Sequence, residues 1–145
     1  MKRLLAVFAL TLVSFAASAE APVVIKAYAA LDTDNHGQWK FATDYAIELF
    51  AISDGSEFEI LLGGEAVKPL MGKPSSTLAK LLDAMAANPK LKVYACTETT
   101  GKVRSAMGHD AIKLPVHIEE IECTAHFKKL KTEGWLRIDT SAAGS

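Results

Sequence analysis

The residues of this chain best suited to chemistry are its two cysteines, Cys96 and Cys123, 27 positions apart. Cys96 ends the apolar run Leu91-Lys92-Val93-Tyr94-Ala95-Cys96 and precedes Thr97-Glu98-Thr99-Thr100-Gly101-Lys102-Val103-Arg104. A short strand thus delivers a thiol to its C-terminal end, just before a predicted helix N-terminus. In an open α/β sheet, ligands and chemistry collect at that edge. A helix N-terminus and nearby cations favour the thiolate, which is the nucleophilic form. Thr97, Thr99 and Thr100 offer hydroxyls and helix caps, and Lys102 and Arg104 add positive charge that Glu98 opposes. The alternative role is a small buried hydrophobe at a strand end, which cysteine often fills. The residues alone leave both readings open.

Cys123 is expected to open the last helix, directly after the next strand. If the two strands are neighbours, both cysteines share one edge of the sheet. A disulfide is then sterically allowed once the Cα atoms fall within about 7 Å. A permanent bond would make Cys96 structural; a reversible one would make Cys123 its resolving thiol. There is no Cys-x-x-Cys, so thioredoxin-type redox chemistry finds little support. His126 follows Cys123 by three positions and can share its helix face. With His117 or His109 it matches no zinc spacing, so no metal site is assigned. No cofactor is implied either: Gly63-Gly64 lacks the dinucleotide fingerprint, and no Gly-x-Ser-x-Gly elbow marks a hydrolase.

These residues need elements to position them, and the hydrophobic pattern supplies alternating strands and helices. Val23 to Ala29 reads as a first strand, and Trp39 to Phe50 as a helix stopped by Asp54-Gly55. Phe58 to Leu62 is a second strand, followed by Gly63-Gly64 and a short helix from Glu65 to Met71. Pro74-Ser75-Ser76-Thr77 starts a helix with Leu78, Leu81, Leu82 and Met85 as its buried stripe, and Asn88-Pro89 closes it. The Cys96 strand comes next, then a helix to Met107-Gly108 and a strand from Val116 to Ile121. A helix from Cys123 to Glu133 with Gly134 as its C-cap, a strand from Trp135 to Ile138 and a polar tail complete the chain. The alternation predicts one three-layer α/β domain with a mostly parallel sheet of about five strands flanked by helices.

The first 19 residues have a different role. Lys2 and Arg3 precede the apolar stretch Leu4 to Phe15, and Ala17-Ser18-Ala19 has the small-x-small form read by signal peptidase. The expected organisation is a signal peptide at 1–19 and the α/β domain at 20–145, with a periplasmic location in a bacterial source. No later segment is long enough to span a membrane. Cleavage removes two of the 16 basic residues and none of the 17 acidic ones. The remaining domain is acidic and has no basic stripe for nucleic acid. Two cysteines are too few for a disulfide scaffold, and an exported chain of this length can bury a core without one.

From Phe58 onward the chain resembles the DsrE/DsrF-like family, in its secreted branch. Phe58 to Leu70, with its Gly63-Gly64 turn, is similar to the family's second strand and the apolar stretch after it. Leu91 to Cys96 is similar to the strand ending in the family cysteine, and Leu130 to Ile138 to the closing helix, glycine, aromatic and strand. The resemblance implies a compact α/β domain that forms homo- or hetero-oligomers and a link to sulfur metabolism. In sulfur-relay members the cysteine matching Cys96 receives sulfane sulfur as a persulfide and passes it on, which implies donor and acceptor proteins. The expected function is a periplasmic sulfur carrier or sulfurtransferase-type relay component using Cys96. Thr97, Thr100, Lys102 and Arg104 would support it, with Cys123 as resolving or disulfide partner. The competing expectation is a non-catalytic oligomeric binding module with a structural Cys96–Cys123 disulfide. Glu122-Cys123-Thr124 departs from the small-residue turn that many relatives have before the last helix.

Overall fold

A computed structural model describes residues 23–144, so the expected signal segment lies outside the described residues. Five strands form one sheet in the order β4-β3-β2-β1-β5: β1 Lys26–Leu31, β2 Glu57–Leu62, β3 Leu91–Cys96, β4 Ile118–Ile121 and β5 Leu136–Arg137. Every pairing is parallel. The connecting helices are α1 His36–Ile52, α2 Ser76–Ala87, α3 Thr97–Met107 and α4 Cys123–Thr132. 3₁₀ segments at Gly64–Leu70 and His109–Ala111 fill the longer joins, and another at Ser141–Gly144 follows β5. No helix among the described residues is long and apolar enough to cross a membrane.

The strand sequences alternate between two faces, as the pleat requires. Ala27, Ala29 and Leu31 of β1, Phe58, Ile60 and Leu62 of β2, and Leu91, Val93 and Ala95 of β3 share the main core with α1 and α2. Trp39, Ala42, Ala46 and Leu49 recur at helical spacing to make the buried stripe of α1; Leu78, Leu81 and Met85 do so for α2. Val103 of α3 and the Ile112 and Leu114 that follow it pack against the same core. Tyr28, Leu61 and Cys96 point the other way, onto Cys123, Phe127 and Leu130 of α4. Right-handed crossovers explain the division. The chain steps in one direction from β1 to β4, which keeps α1 to α3 on one face; it then returns across the sheet to β5, which puts α4 on the other.

Local sequence sets the helix starts. The Asn35 side chain accepts from the N–H groups of Gly37 and Gln38 at 2.8 and 3.3 Å, and Ser75 accepts from Leu78 at 3.1 Å. The first strand begins three residues later than the apolar run suggests. Val23 and Val24 remain exposed, and the run is tied to the α1–β2 turn instead: Ile25 N–H donates to Ser56 Oγ, and Ser53 Oγ to the Val23 carbonyl. The last strand is shorter than expected, two residues paired with Ala27 and Tyr28. Beyond it, Ile138 N–H still donates to the Tyr28 carbonyl at 2.8 Å.

The α2 stripe is the simplest test of this packing. Leu81 is fully buried whereas Leu82 is only half-buried. Leu81→Ala should destabilise the domain by about 2–5 kcal/mol, and Leu82→Ala by clearly less, read from urea unfolding midpoints at unchanged slope.

Candidate functional site

The reversal of direction after β4 creates the site. β3 hands the chain to α3 on one face, and its neighbour β4 hands it to α4 on the other. Where adjacent parallel strands part in this way, a crevice opens at their carboxyl ends. Cys96 is the last residue of β3, in register with Ile121 of β4, and Cys123 is the first residue of α4. The structure joins the two cysteines across this point in a disulfide, with Cα atoms 5.2 Å apart. Both residues are buried, Cys96 at 6% and Cys123 at 4% exposure.

A cleft of about 410 Å³ runs from the disulfide along the same sheet edge. Cys96, Gly63 and Phe127 line one part of it, and Asp32, Arg137 and Asp139 another. Gly63 and Gly64 form the turn beneath the sulfur. A Cβ built on Gly63 would lie 3.4 Å from Cys96 Sγ, so glycine here leaves the sulfur uncovered on that side. Gly64 has a different constraint. Its φ is +49°, and a Cβ would meet the Asp32 carbonyl oxygen at 2.9 Å. Its N–H donates to Thr99 Oγ1 at 3.0 Å, which ties the glycine turn to the first turn of α3.

The expected helpers of Cys96 divide. Thr100 is buried and its hydroxyl donates to the Thr97 carbonyl at 3.4 Å, so it closes the first turn of α3 rather than facing the sulfur. Thr97 is exposed, and Cys96 itself occupies the N-cap position of α3 without a side-chain cap. The structure does not bring Lys102 and Arg104 to the sulfur. At ~1.5 Å per residue they lie roughly 9 and 12 Å along the helix from Cys96. The Arg104 guanidinium donates to Glu120 Oε1 of β4 at 2.5 Å. The charge nearer the disulfide is negative. Glu122 caps α4, accepting from Ala125 N–H at 2.6 Å and Thr124 N–H at 3.1 Å, and it also meets the Glu98 side chain. Chiefly the Ala125 N–H holds the Glu122 carboxyl below its ordinary value.

A second polar group lies under α4 and was not read from the sequence. His126 Nε2 donates to Glu59 Oε2 at 2.5 Å, with both side chains mostly buried, and the His126 ring lies 5.2 Å from that of Tyr94. Burial first, then the Glu59 and Glu119 charges, push the Tyr94 phenol above its ordinary value. The available signal was Glu59 itself, a carboxylate among the apolar residues Phe58 to Leu62, where burial demands a partner. This pairing and the disulfide separate His126 and Cys123 from exposed His117. Among the described residues no group of three or more His, Cys, Asp or Glu side chains is placed to hold a metal ion.

No protein-family model matches the chain. No curated protein matches it either. Among solved structures, a protein of unknown function from Methanobacterium thermoautotrophicum, MTH1491, is similar. The TM-score is 0.64 at 16% identity, over 79% of this chain and 97% of that one. At that identity the likeness shows the fold.

Two outcomes test the local construction. Gly64→Ala should cost at least ~1–2 kcal/mol for its left-handed backbone and exceed Gly72→Ala. Gly72 also has a left-handed φ, of +81°, but open space around it; chemical denaturation of both variants gives the comparison. The Glu122 cap has a defined pH sense. Its folded value lies below the ordinary 4.5, so its stabilisation is complete above that value and lost as pH falls through the lower one. The stability gap between the parent and Glu122→Gln should therefore shrink as the medium is taken from neutral to strongly acid.

Proposed function

We propose that this chain is a secreted DsrE-like sulfur carrier, exported by its N-terminal segment to the periplasm, in which Cys96 holds sulfane sulfur as a persulfide. The observation that carries the reading is the place of Cys96. It ends a central parallel strand at the reversal of the sheet, lines the cleft and has a partner cysteine within bonding reach. The ordered sequence resemblance from Phe58 to Ile138 supports the family assignment. The fold likeness to a protein of unknown function brings no activity with it.

The chemistry closes on the observed disulfide. A dithiol reductant supplies two electrons and two protons, opening Cys96–Cys123 to two thiols while becoming a disulfide itself. The Cys96 thiolate then attacks the outer sulfur of a donor persulfide; a Cys96 persulfide forms and the donor thiolate leaves. An acceptor thiolate can attack the outer sulfur in turn, taking the sulfur and restoring the Cys96 thiolate. Alternatively the Cys123 thiolate attacks Cys96 Sγ, re-forms the disulfide and expels hydrosulfide. Cys123 is thereby a resolving thiol, and the disulfide is the discharged state. Glu98 and Glu122 work against a sulfur anion at rest, so donor and acceptor must displace or compensate them, which suits protein partners and oligomeric assembly.

A second reading is favoured by one observation. Both sulfurs are already bonded and both cysteines are buried. A bond closing a 27-residue loop contributes about 3–4 kcal/mol in the chain-entropy model, enough to serve only as a staple in an oligomeric binding module.

Incubation of the reduced protein with a small-molecule persulfide donor, followed by intact-mass analysis, separates the two. Cys96→Ser should lose sulfur uptake altogether. Cys123→Ser should accumulate one added sulfur that the parent discharges as hydrosulfide. Uptake that survives Cys96→Ser, or no uptake by any form, would remove the carrier reading.

A further inference from the structure

The cleft beside the disulfide contains charges that the sulfur exchange does not use. Cys96 lies at one end, with the space over its Sγ left open by Gly63. The backbone at Gly63, φ −123°, is one that any residue adopts, and a methyl there would sit in van der Waals contact with the sulfur. Three charged side chains from the ends of two strands also line the cleft: Asp32 after β1, Arg137 at the end of β5 and Asp139 beyond it. Asp139 accepts from Ser141 N–H at 2.9 Å, and that bond, with the nearby Arg137, holds its carboxyl below the ordinary range. Leu31, Leu61 and Phe127 add apolar lining.

This layout restricts what fits. A volume of about 410 Å³ suits a small molecule and not a folded partner. One cation and two carboxylates in the lining disfavour a dianion and suit a molecule with both an ammonium and a carboxylate. We propose that the cleft is a subsite for a small zwitterionic aminothiol in its disulfide or persulfide form. Its carboxylate pairs with Arg137, its ammonium with Asp32 and Asp139, and its sulfur reaches Cys96. The inference rests on the carrier reading for its purpose, since it names the class of sulfur donor, but it is testable without sulfur transfer.

The test uses thiol–disulfide exchange in the mature Cys123→Ser protein, where Cys96 cannot re-form its internal bond. The Cys96 thiolate attacks one sulfur of a symmetrical disulfide, a mixed disulfide forms and one equivalent of the small thiolate leaves. Three probes differ in charge: cystine is zwitterionic, cystamine cationic and dithiodipropionate dianionic. Each rate is divided by that of the same protein unfolded in urea, which removes the intrinsic reactivity of the probe. Normalised cystine exchange should exceed that of dithiodipropionate by roughly tenfold, about threefold for each exposed charge contact. Arg137→Gln should slow cystine about threefold and leave cystamine unslowed, whereas Asp32→Asn should slow both. Gly63→Ala should slow all three, because the added methyl covers Sγ. Equal normalised rates for the three probes, or an Arg137→Gln variant with an unchanged cystine-to-cystamine ratio, would overturn the subsite. In the disulfide-bonded parent, S-methylcysteine should shift the amide resonances of Gly63, Gly64 and Arg137, an arm that needs no cysteine variant; absence of any shift at high concentration counts against the subsite. Charge selectivity without sulfur uptake from a persulfide donor would leave the subsite standing and remove the carrier reading; uptake without selectivity would do the reverse.

Discussion

The Cys96–Cys123 bond ties the two halves of this fold together. The larger core lies between the sheet and α1, α2 and α3, and a long list of buried side chains fills it. The opposite face depends on α4, whose buried contribution is small: Cys123 and Leu130, helped by Phe127. A ten-residue helix with so little apolar surface has weak intrinsic reason to stay folded on a sheet. It is pinned at three heights instead. Glu122 caps its start, the disulfide bonds its first residue to the end of β3, and the His126–Glu59 pair anchors the next turn over β2. Loss of the disulfide would therefore loosen one layer of the domain without removing its main core, so the proposed redox chemistry would have a structural consequence.

The same geometry explains why the sulfur faces a cleft. Parallel strands whose exits part to opposite faces leave their ends unfilled, and here the gap falls between β3 and β4. The disulfide occupies the gap, and the glycine turn after β2 keeps one side of Cys96 free. The cations Lys102 and Arg104 are less influential than their proximity in sequence to Cys96 suggests. Arg104 is engaged by Glu120, and Lys102 lies more than a helical turn away, while Glu98 and Glu122, each within two residues of a bonded cysteine, meet one another. The electrostatics suit a bond at rest as a disulfide; under the proposed carrier role, charged thiolates would form when a partner or small donor arrives.

Much of this was legible in the chain. Alternating apolar segments specified the parallel sheet, because strands buried on both faces need continuous apolar runs. The cysteine spacing placed both sulfurs on one edge once β3 and β4 were neighbours. The start of β1 was misplaced because Val23, Val24 and Ile25 have strong β character, yet pairing with β2 begins only at Lys26 opposite Glu57. β-propensity describes a fit to a half-buried surface and cannot by itself say where pairing starts. The final strand was overestimated because Trp135 to Ile138 looks apolar, whereas only Leu136 and Arg137 pair with β1. The Glu59–His126 pair joins residues 67 apart in sequence, which no local pattern reports. The roles of Lys102 and Arg104 depend on where a helix points, and the polar tail from Thr140 gives no local sign that Thr140 and Ser141 line the cleft.

The most direct test is intact-mass analysis of the protein isolated from the cell that makes it, alkylated at lysis with no reductant added. The carrier account predicts a population with free thiols, or with one added sulfur mapped to Cys96, beside a disulfide form that a mild dithiol opens. A single species, two hydrogens lighter than the dithiol and resistant to that reductant, would contradict it and leave Cys96–Cys123 as a structural staple.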